Sequence, residues 1–172
     1  ATANVQSAGF TGTAGIAAAA AIAQLDGVLL RTLPWMLDGM MAALGSRRPI
    51  ALRVGKSTRA EVLMTLLSWS LDESAAGSIR FALHEDDGSL SRMVEQRMDV
   101  VSFADPAVAK LLSPEYLLLD EDWEVDDTQA ALSHNWRLPS GEVAPRTNWS
   151  TLAMDLIWMD TPARGQVFAL RD

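Results

Sequence analysis

The sequence contains no cysteine. This absence excludes disulfide bonds, thiolate metal sites and cysteine nucleophiles together, and it suits the reducing cytoplasm. Basic residues are also few, with 14 Lys and Arg against 22 Asp and Glu, so the formal net charge is −8. A protein that grips a nucleic-acid backbone needs clustered cations to neutralise phosphates. We therefore expect a cytoplasmic acidic protein with no nucleic-acid partner.

Histidine is scarce as well, since His84 and His134 are the only two. They do not stand at metal-ligand spacing, and no serine occupies a strand-to-helix elbow of the hydrolase type. Gly55-Lys-Ser57 follows a predicted strand, but a phosphate-binding loop needs an earlier glycine at the position of Ile50. The residues therefore favour a noncatalytic protein, and we expect no cofactor and no metal.

Charge is missing from the N-terminus, where no charged side chain occurs from Ala1 to Leu25. A secretory signal would need a basic start, and alanine is too weakly apolar for a membrane span of roughly 20 residues. We expect residues 1–13 to be flexible. Residues 14–44 favour a helical segment that Pro34 kinks or divides in two.

This helical segment carries a broad apolar face, which must be buried in the core of the chain or against a partner helix. The sequence leaves both open. We assign Met36, Met40 and Met41 to assembly and expect homo-oligomerisation through segment 14–44.

The segment from Ile50 to Val101 has the clearest local signals. Residues 50–54 read as a strand, and Thr58 with Glu61 forms the pattern of a capping box at a helix start. An apolar stripe continues that helix to Leu71. The alternation over residues 77–83 predicts a strand that enters a hairpin at Asp86-Asp-Gly88 and returns over residues 90–103.

The remaining segments complete the predicted fold. Asp105-Pro106 indicates a short helix over 107–112, residues 116–119 a buried strand or helical turn, and residues 130–138 and 166–170 two strands. Residues 150–159 fit a strand or a helix equally. We therefore predict an α+β fold: an N-terminal helical segment, then an antiparallel or mixed sheet with helices packed on one face. Residues 14–172 form a single domain, within which 49–172 is an α/β sandwich.

Acidic residues concentrate between Asp120 and Asp127. A calcium loop would need a glycine where Val125 stands and an acid where Ala131 stands, so that pattern fails. A solvated face, a metal site and a docking patch for a basic partner stay open. The residues that we assign to an acidic protein contact are Asp120, Asp122, Glu124 and Asp126, and such a contact would be sensitive to salt.

The middle of the chain resembles the ATP-binding domain of histidine kinases and other GHKL proteins. The resemblance rests on the helix Glu61-Val-Leu-Met-Thr-Leu-Leu-Ser-Trp-Ser-Leu71, the Gly77-Ser-Ile79 strand start and the Asp86-Asp-Gly88 turn. It implies a degenerate relative, because the family's magnesium- and phosphate-binding asparagines fall on Thr65 and Trp69. A nucleotide groove beside helix 58–71 would have to be lined by Thr65, Glu95 and Arg97.

Three functions follow as expectations. The first is a noncatalytic interaction or regulatory domain, similar to a phosphotransfer adaptor. The second is a nucleotide- or small-molecule-binding enzyme, and the third is an accessory part of a larger assembly. The six tryptophans are many for 172 residues, and any that are exposed would mark a binding surface. They are Trp35, Trp69, Trp123, Trp136, Trp149 and Trp158.

Overall fold

The computed structural model describes residues 6–7, 20–21, 23–71, 73–83, 97–112 and 114–158. The helices are α1 (Gly27–Gly45), α2 (Ser57–Ser70), α3 (Glu73–Ser78), α4 (Asp127–Ser133) and α5 (Asn148–Trp158), with a short 3-10 helix at Val108–Leu111. The strands are β1 (Gln6–Ser7), β2 (Ile50–Arg53), β3 (Arg80–Ala82), β4 (Val100–Phe103), β5 (Leu117–Asp120), β6 (Asn135–Arg137) and β7 (Val143–Pro145). The predicted α+β class is confirmed.

The main sheet is mixed, with strand order β1-β3-β4-β2-β5. Strands β3, β4, β2 and β5 run parallel to one another, and β1 pairs with β3 in the antiparallel sense. Phe81 and Val100 are parallel partners, so residues 100–103 are not the returning arm of a hairpin. That part of the prediction is wrong, because the hydrophobic period defines a strand but not its direction. The predicted turn at Asp86-Asp-Gly88 lies outside the described residues.

Both faces of this sheet are covered. Ile50, Leu52 and Leu119 belong to the larger core, which packs against α1 and α2. The intervening Ala51 belongs to a smaller core on the other face, with side chains that include Val101, Phe103 and Tyr116. Double coverage explains why β4 is buried along its whole length.

The predicted helical segment 14–44 is interrupted before α1, because residues 20–21 are helical and Asp26 caps a separate helix that begins at Gly27. The Asp26 Oδ1 atom accepts hydrogen bonds from the amides of Val28 (3.1 Å) and Leu29 (3.0 Å), and residues 23–26 are not helical. Pro34 lies inside the helix without dividing it. Gly39 permits a close approach to the sheet, since a Cβ added there would lie 2.9 Å from Cδ2 of Leu119.

Helix α2 does not use the predicted capping box. Lys56 is its N-cap residue and makes no side-chain capping hydrogen bond, so Thr58 already lies within the first turn. The carboxylate of Glu121 instead binds the Gly55 amide just before the helix, at 2.7 Å. A residue distant in sequence therefore holds the turn before α2, and sequence spacing cannot reveal such a contact.

The C-terminal half contains α4 where residues 130–138 were predicted to be one strand. Asp126 caps α4 through a hydrogen bond from the Gln129 amide at 3.0 Å, and His134 ends it in a left-handed conformation with φ 54°. The strand then covers only Asn135–Arg137 and forms a hairpin with β7. Residues 148–158 are helical, which resolves the ambiguity of that segment.

Asp38 joins this half to α1. Its carboxylate is completely buried and accepts hydrogen bonds from Trp136 Nε1 (2.7 Å) and from the amide (3.2 Å) and hydroxyl of Thr147. Trp136 belongs to the hairpin and Thr147 precedes α5, so a single side chain of α1 holds both.

Two predictions concern the termini. The segment 1–13, which we expected to be flexible, includes β1. Its other residues lie outside the described part of the chain. The strand predicted at 166–170 also lies outside the described part. Within the described residues, no helix is both long enough and apolar enough to cross a membrane.

Candidate functional site

The carboxyl edge of the parallel strands carries a network of partly buried ion pairs. Arg59 reaches Asp26 with its Nε (2.8 Å) and Nη2 (2.7 Å) and Glu121 with its Nη1 (2.8 Å). The Arg59 side chain is 13% exposed and that of Glu121 only 5%. This network therefore ties the start of α1, the β2–α2 loop and the end of β5 together.

Burial and pairing act in opposite senses on these groups. Burial favours the neutral form of Asp26, but hydrogen bonds from the Leu29 amide and from Arg59 outweigh it and lower the pKa of the carboxyl group. Burial likewise opposes the charge of Arg59, while Asp26 and Glu121 reverse that effect and raise the pKa of its guanidinium. Pairing therefore favours the charged forms of Asp26 and Arg59.

Glu121 occupies the place where a strand-to-helix turn of this kind would hold an anion. Its Oε1 accepts from the Gly55 amide, and a Cβ added at Gly55 would lie 3.0 Å from that oxygen. Exposed amides before a helix attract phosphate and carboxylate groups. Here the chain's own carboxylate satisfies the Gly55 amide, so the Gly55-Lys-Ser57 turn lacks a vacant phosphate cradle at that atom.

The predicted acidic patch is divided by the fold. Arg53 Nη1 binds Asp120 at 2.6 Å and also pairs with Asp122, while the Asp126 side chain caps α4. Burial opposes the charge of Arg53 and lowers its pKa, but the hydrogen bonds to Asp120 and Asp122 outweigh this effect. The pKa of Arg53 is therefore raised. Glu124 is exposed and has no ion pair within the described residues. It is the predicted acid that stays most available to a partner.

Glu124 stands at the rim of a groove, which we call the tryptophan groove. The groove has a volume of about 270 Å³ and lies between the β5–α4 connection, helix α4 and the β6–β7 hairpin. Its floor includes the buried side chains of Ala130 and Trp136. The lining residues are Trp123, Glu124, Val125, Asp126, Gln129, Ala130, Ser133, Asn135, Trp136, Arg137 and Val143.

Trp123 forms one wall of this groove with a fixed orientation. Its Nε1 donates to the Arg137 carbonyl oxygen at 3.1 Å, which connects the β5–α4 segment to the hairpin. The side chain nevertheless stays 38% exposed, and Val143, which also lines the groove, is 60% exposed. Trp35, Trp69 and Trp136 are buried by contrast. The expectation that an exposed tryptophan would mark a surface therefore applies to Trp123.

Two of the three residues predicted to line a nucleotide groove lie within the described part of the chain. Thr65 donates its hydroxyl to the Glu61 carbonyl oxygen at 2.8 Å, and Arg97 is exposed with φ 53°. Neither lines the tryptophan groove, and Glu95 lies outside the described residues. The contacts of Thr65 and Arg97 thus provide no support for the nucleotide groove inferred beside helix 58–71.

The methionines predicted to form a self-association surface are mostly buried within the chain. Met36 and Met40 are completely buried in the chain's own core, so a self-association surface built on them loses its basis. The cause is that α1 packs against α2, the sheet and α5 rather than facing solvent. Met41 is partly exposed and lines a different cavity.

Sequence reasoning missed Glu121, Arg59 and the hairpin wall of the groove. Glu121 stood within the acidic run, and the one signal for its burial was its position directly after an apolar strand. Arg59 and Asp26 are 33 residues apart in sequence, so their pairing had no local signal. Within the described residues, no group of three His, Asp or Glu side chains is placed to hold a metal ion.

Comparison of the chain with protein-family models, curated proteins and solved structures gives no match.

Proposed function

We propose that this chain is a noncatalytic docking domain that binds a basic segment of a partner protein, with one apolar side chain of that segment in the tryptophan groove. The observation that carries the proposal is Trp123: exposed, hydrogen-bonded in one orientation and adjacent to the uncommitted carboxylate of Glu124. Rigid aromatic residues at a desolvated pocket commonly dominate binding energy.

The charge of the groove selects the partner. Glu124 and Asp126 stand at its rim, and the whole chain has a net charge of −8. A basic segment would be steered toward such a surface, and salt would weaken this attraction because the charges are exposed. Arg137 also lines the groove, so the segment can carry one acidic or neutral position there.

The internal carboxylate supports the noncatalytic part of the proposal. A nucleotide phosphate at the β2–α2 turn would have to displace Glu121 from the Gly55 amide and from Arg59. The GHKL resemblance and a regulatory role stay predictions, as do the accessory role in a larger assembly and homo-oligomerisation. The proposed setting is the cytoplasm, which a chain without cysteine suits.

Fluorescence anisotropy with labelled pentapeptides tests the proposal. We expect Lys-Arg-Leu-Arg-Lys to bind, Lys-Arg-Ser-Arg-Lys to bind at least roughly tenfold more weakly, and Glu-Glu-Leu-Glu-Glu not to bind. Trp123→Ala should weaken binding by roughly tenfold or more. Glu124→Gln should reduce both the affinity and its dependence on salt.

Two matched variants serve as controls. Leu132→Ala removes a side chain of α4 that is 81% exposed but does not line the groove, and Glu61→Gln removes an exposed acid of α2. Neither should change the peptide affinity. Equal binding of the leucine and serine peptides, or an unchanged affinity in Trp123→Ala, would refute docking in this groove.

A further inference from the structure

A second cavity lies at the C-terminal end of α1, on residues that the tryptophan groove does not use. Its volume is about 530 Å³, within the range of small-molecule sites. The apolar part of its lining comes from Met41 and Leu44 of α1, Leu71 after α2, and Ile79 before β3. Ile79 is buried and the other three are partly buried. The cavity therefore offers an apolar body to a ligand.

Three charged side chains stand around this apolar lining, and two of them are already engaged. Arg48 donates its Nε to the Glu115 carbonyl oxygen at 2.8 Å and pairs with Glu142. Asp99 accepts from the Arg80 amide at 2.8 Å. Arg47 is exposed and has no hydrogen-bond or ion-pair partner for its guanidinium within the described part of the chain. The uncommitted charge at this cavity is thus positive.

Arg47 also stands where the backbone favours a different residue. It follows the end of α1 with φ 56°, and its amide donates to the Leu44 carbonyl oxygen at 3.0 Å. Glycine is the usual residue in the left-handed position after a helix, because a side chain is strained there. The fold thus keeps a guanidinium at the cavity against the backbone preference.

We propose that this cavity binds a small amphipathic monocarboxylate. The ligand's carboxylate pairs with the Arg47 guanidinium, and its apolar chain lies among Met41, Leu44, Leu71 and Ile79. Guanidinium groups match carboxylates in geometry and charge, which selects an anion over a neutral or cationic ligand of the same shape. This site is independent of the peptide groove, because the two cavities share no lining residue.

Isothermal titration calorimetry with three probes of equal chain length tests the site: octanoate, octanamide and octylammonium. We expect octanoate to bind at least roughly tenfold more tightly than the other two. Arg47→Gly removes the guanidinium while suiting the positive φ, so it should fold with unchanged or higher stability and lose the preference for octanoate. Arg31→Gln, which removes an exposed cation within α1, should bind octanoate like the parent protein.

A variant that fills the cavity tests the apolar part. Met41→Trp should weaken octanoate binding, and circular dichroism of the same sample should show an unchanged helical signal. Tighter binding of octylammonium than of octanoate would overturn the proposal. So would full octanoate affinity in Arg47→Gly, or an absence of octanoate binding at millimolar concentration.

Discussion

The close approach of α1 to the sheet at Gly39 predicts a large difference between two substitutions of the same chemical kind. Gly39→Ala adds a Cβ that would lie 2.9 Å from Cδ2 and 3.5 Å from Cδ1 of Leu119, and 3.6 Å from Cδ2 of Leu138. Gly45→Ala adds the same methyl group in the same helix with nothing within 4 Å. Comparing the stabilities of the two variants therefore separates the effect of packing from the effect of helix propensity.

The magnitudes follow from the two environments. Alanine is more favourable than glycine in a helix by up to about 1 kcal/mol. Optimal contacts between carbon atoms lie at about 3.5–4.0 Å, so the new methyl group at Gly39 overlaps with Leu119. Leu119 is completely buried and Leu138 is 2% exposed, which limits their movement. Overpacking of this kind costs about 1–3 kcal/mol. We expect Gly39→Ala to be about 1–3 kcal/mol less stable than Gly45→Ala.

Urea denaturation followed by circular dichroism measures this difference. In a thermal melt of the same variants, each kcal/mol of unfolding free energy should move the melting temperature by roughly 2–4 °C for a chain of this size. Combining Gly39→Ala with Leu119→Ala removes the overlap, so in that background the alanine at position 39 should be neutral or stabilising. Equal stability of Gly39→Ala and Gly45→Ala would refute the close approach.

Three further predictions concern buried polar groups. Asp38→Asn should lower the free energy of unfolding by about 2–4 kcal/mol, because a buried carboxylate loses charge-assisted hydrogen bonds; Asp105→Asn, an exposed control, should change it little in the same urea titration. Gly55→Ala places a methyl group 3.0 Å from a buried carboxylate oxygen and should cost about 1–3 kcal/mol, whereas Gly27→Ala meets nothing within 4 Å; similar melting temperatures for these two variants would contradict the contact. The folded protein lowers the pKa of Asp26 despite its partial burial, because backbone amides and a guanidinium bind its carboxylate. Its stabilising contribution is therefore complete above about pH 4 and is lost as the pH falls through the lowered pKa. Asp26→Asn should flatten the acid side of a melting-temperature profile, and an unchanged acid side would count against this role.

The sequence predicted the elements whose signals are local. The strand at residues 50–53 and the helix that follows it are where apolar periodicity placed them. A 3-10 helix at Val108–Leu111 lies within the helix predicted over 107–112, and before it the Asp105 carboxylate accepts from the Ala107 amide at 2.8 Å. The direction of β4 was missed because strand pairing is a long-range property. Helix α4 was missed because its seven residues carry too short an apolar pattern to be distinguished from a strand.

The candidate site was predictable only in part, for the same reason. Glu124 and the exposed Trp123 lie in the acidic run that composition identified. Composition did not predict that Glu121 would turn inward or that Asp120 and Asp122 would share Arg53, since these pairings join residues more than 60 apart in sequence. Met36 and Met40 are buried in the chain's own core. An apolar stripe in a sequence predicts that a helix face is buried, but it does not predict whether the same chain or a partner buries it.

The attachment at Asp38 has a consequence for how the protein opens. The hairpin and the start of α5 are held to α1 by hydrogen bonds to one buried carboxylate, so breaking that attachment exposes three donors at once. The amide of Thr147 and the indole N–H of Trp136 should then exchange with solvent deuterium in a single event. If the peptide groove opens with that event, a bound peptide would slow the exchange of both protons equally. The contact between Asp38 and Trp136, which belongs to the floor of the groove, would thus set how often the hairpin wall detaches.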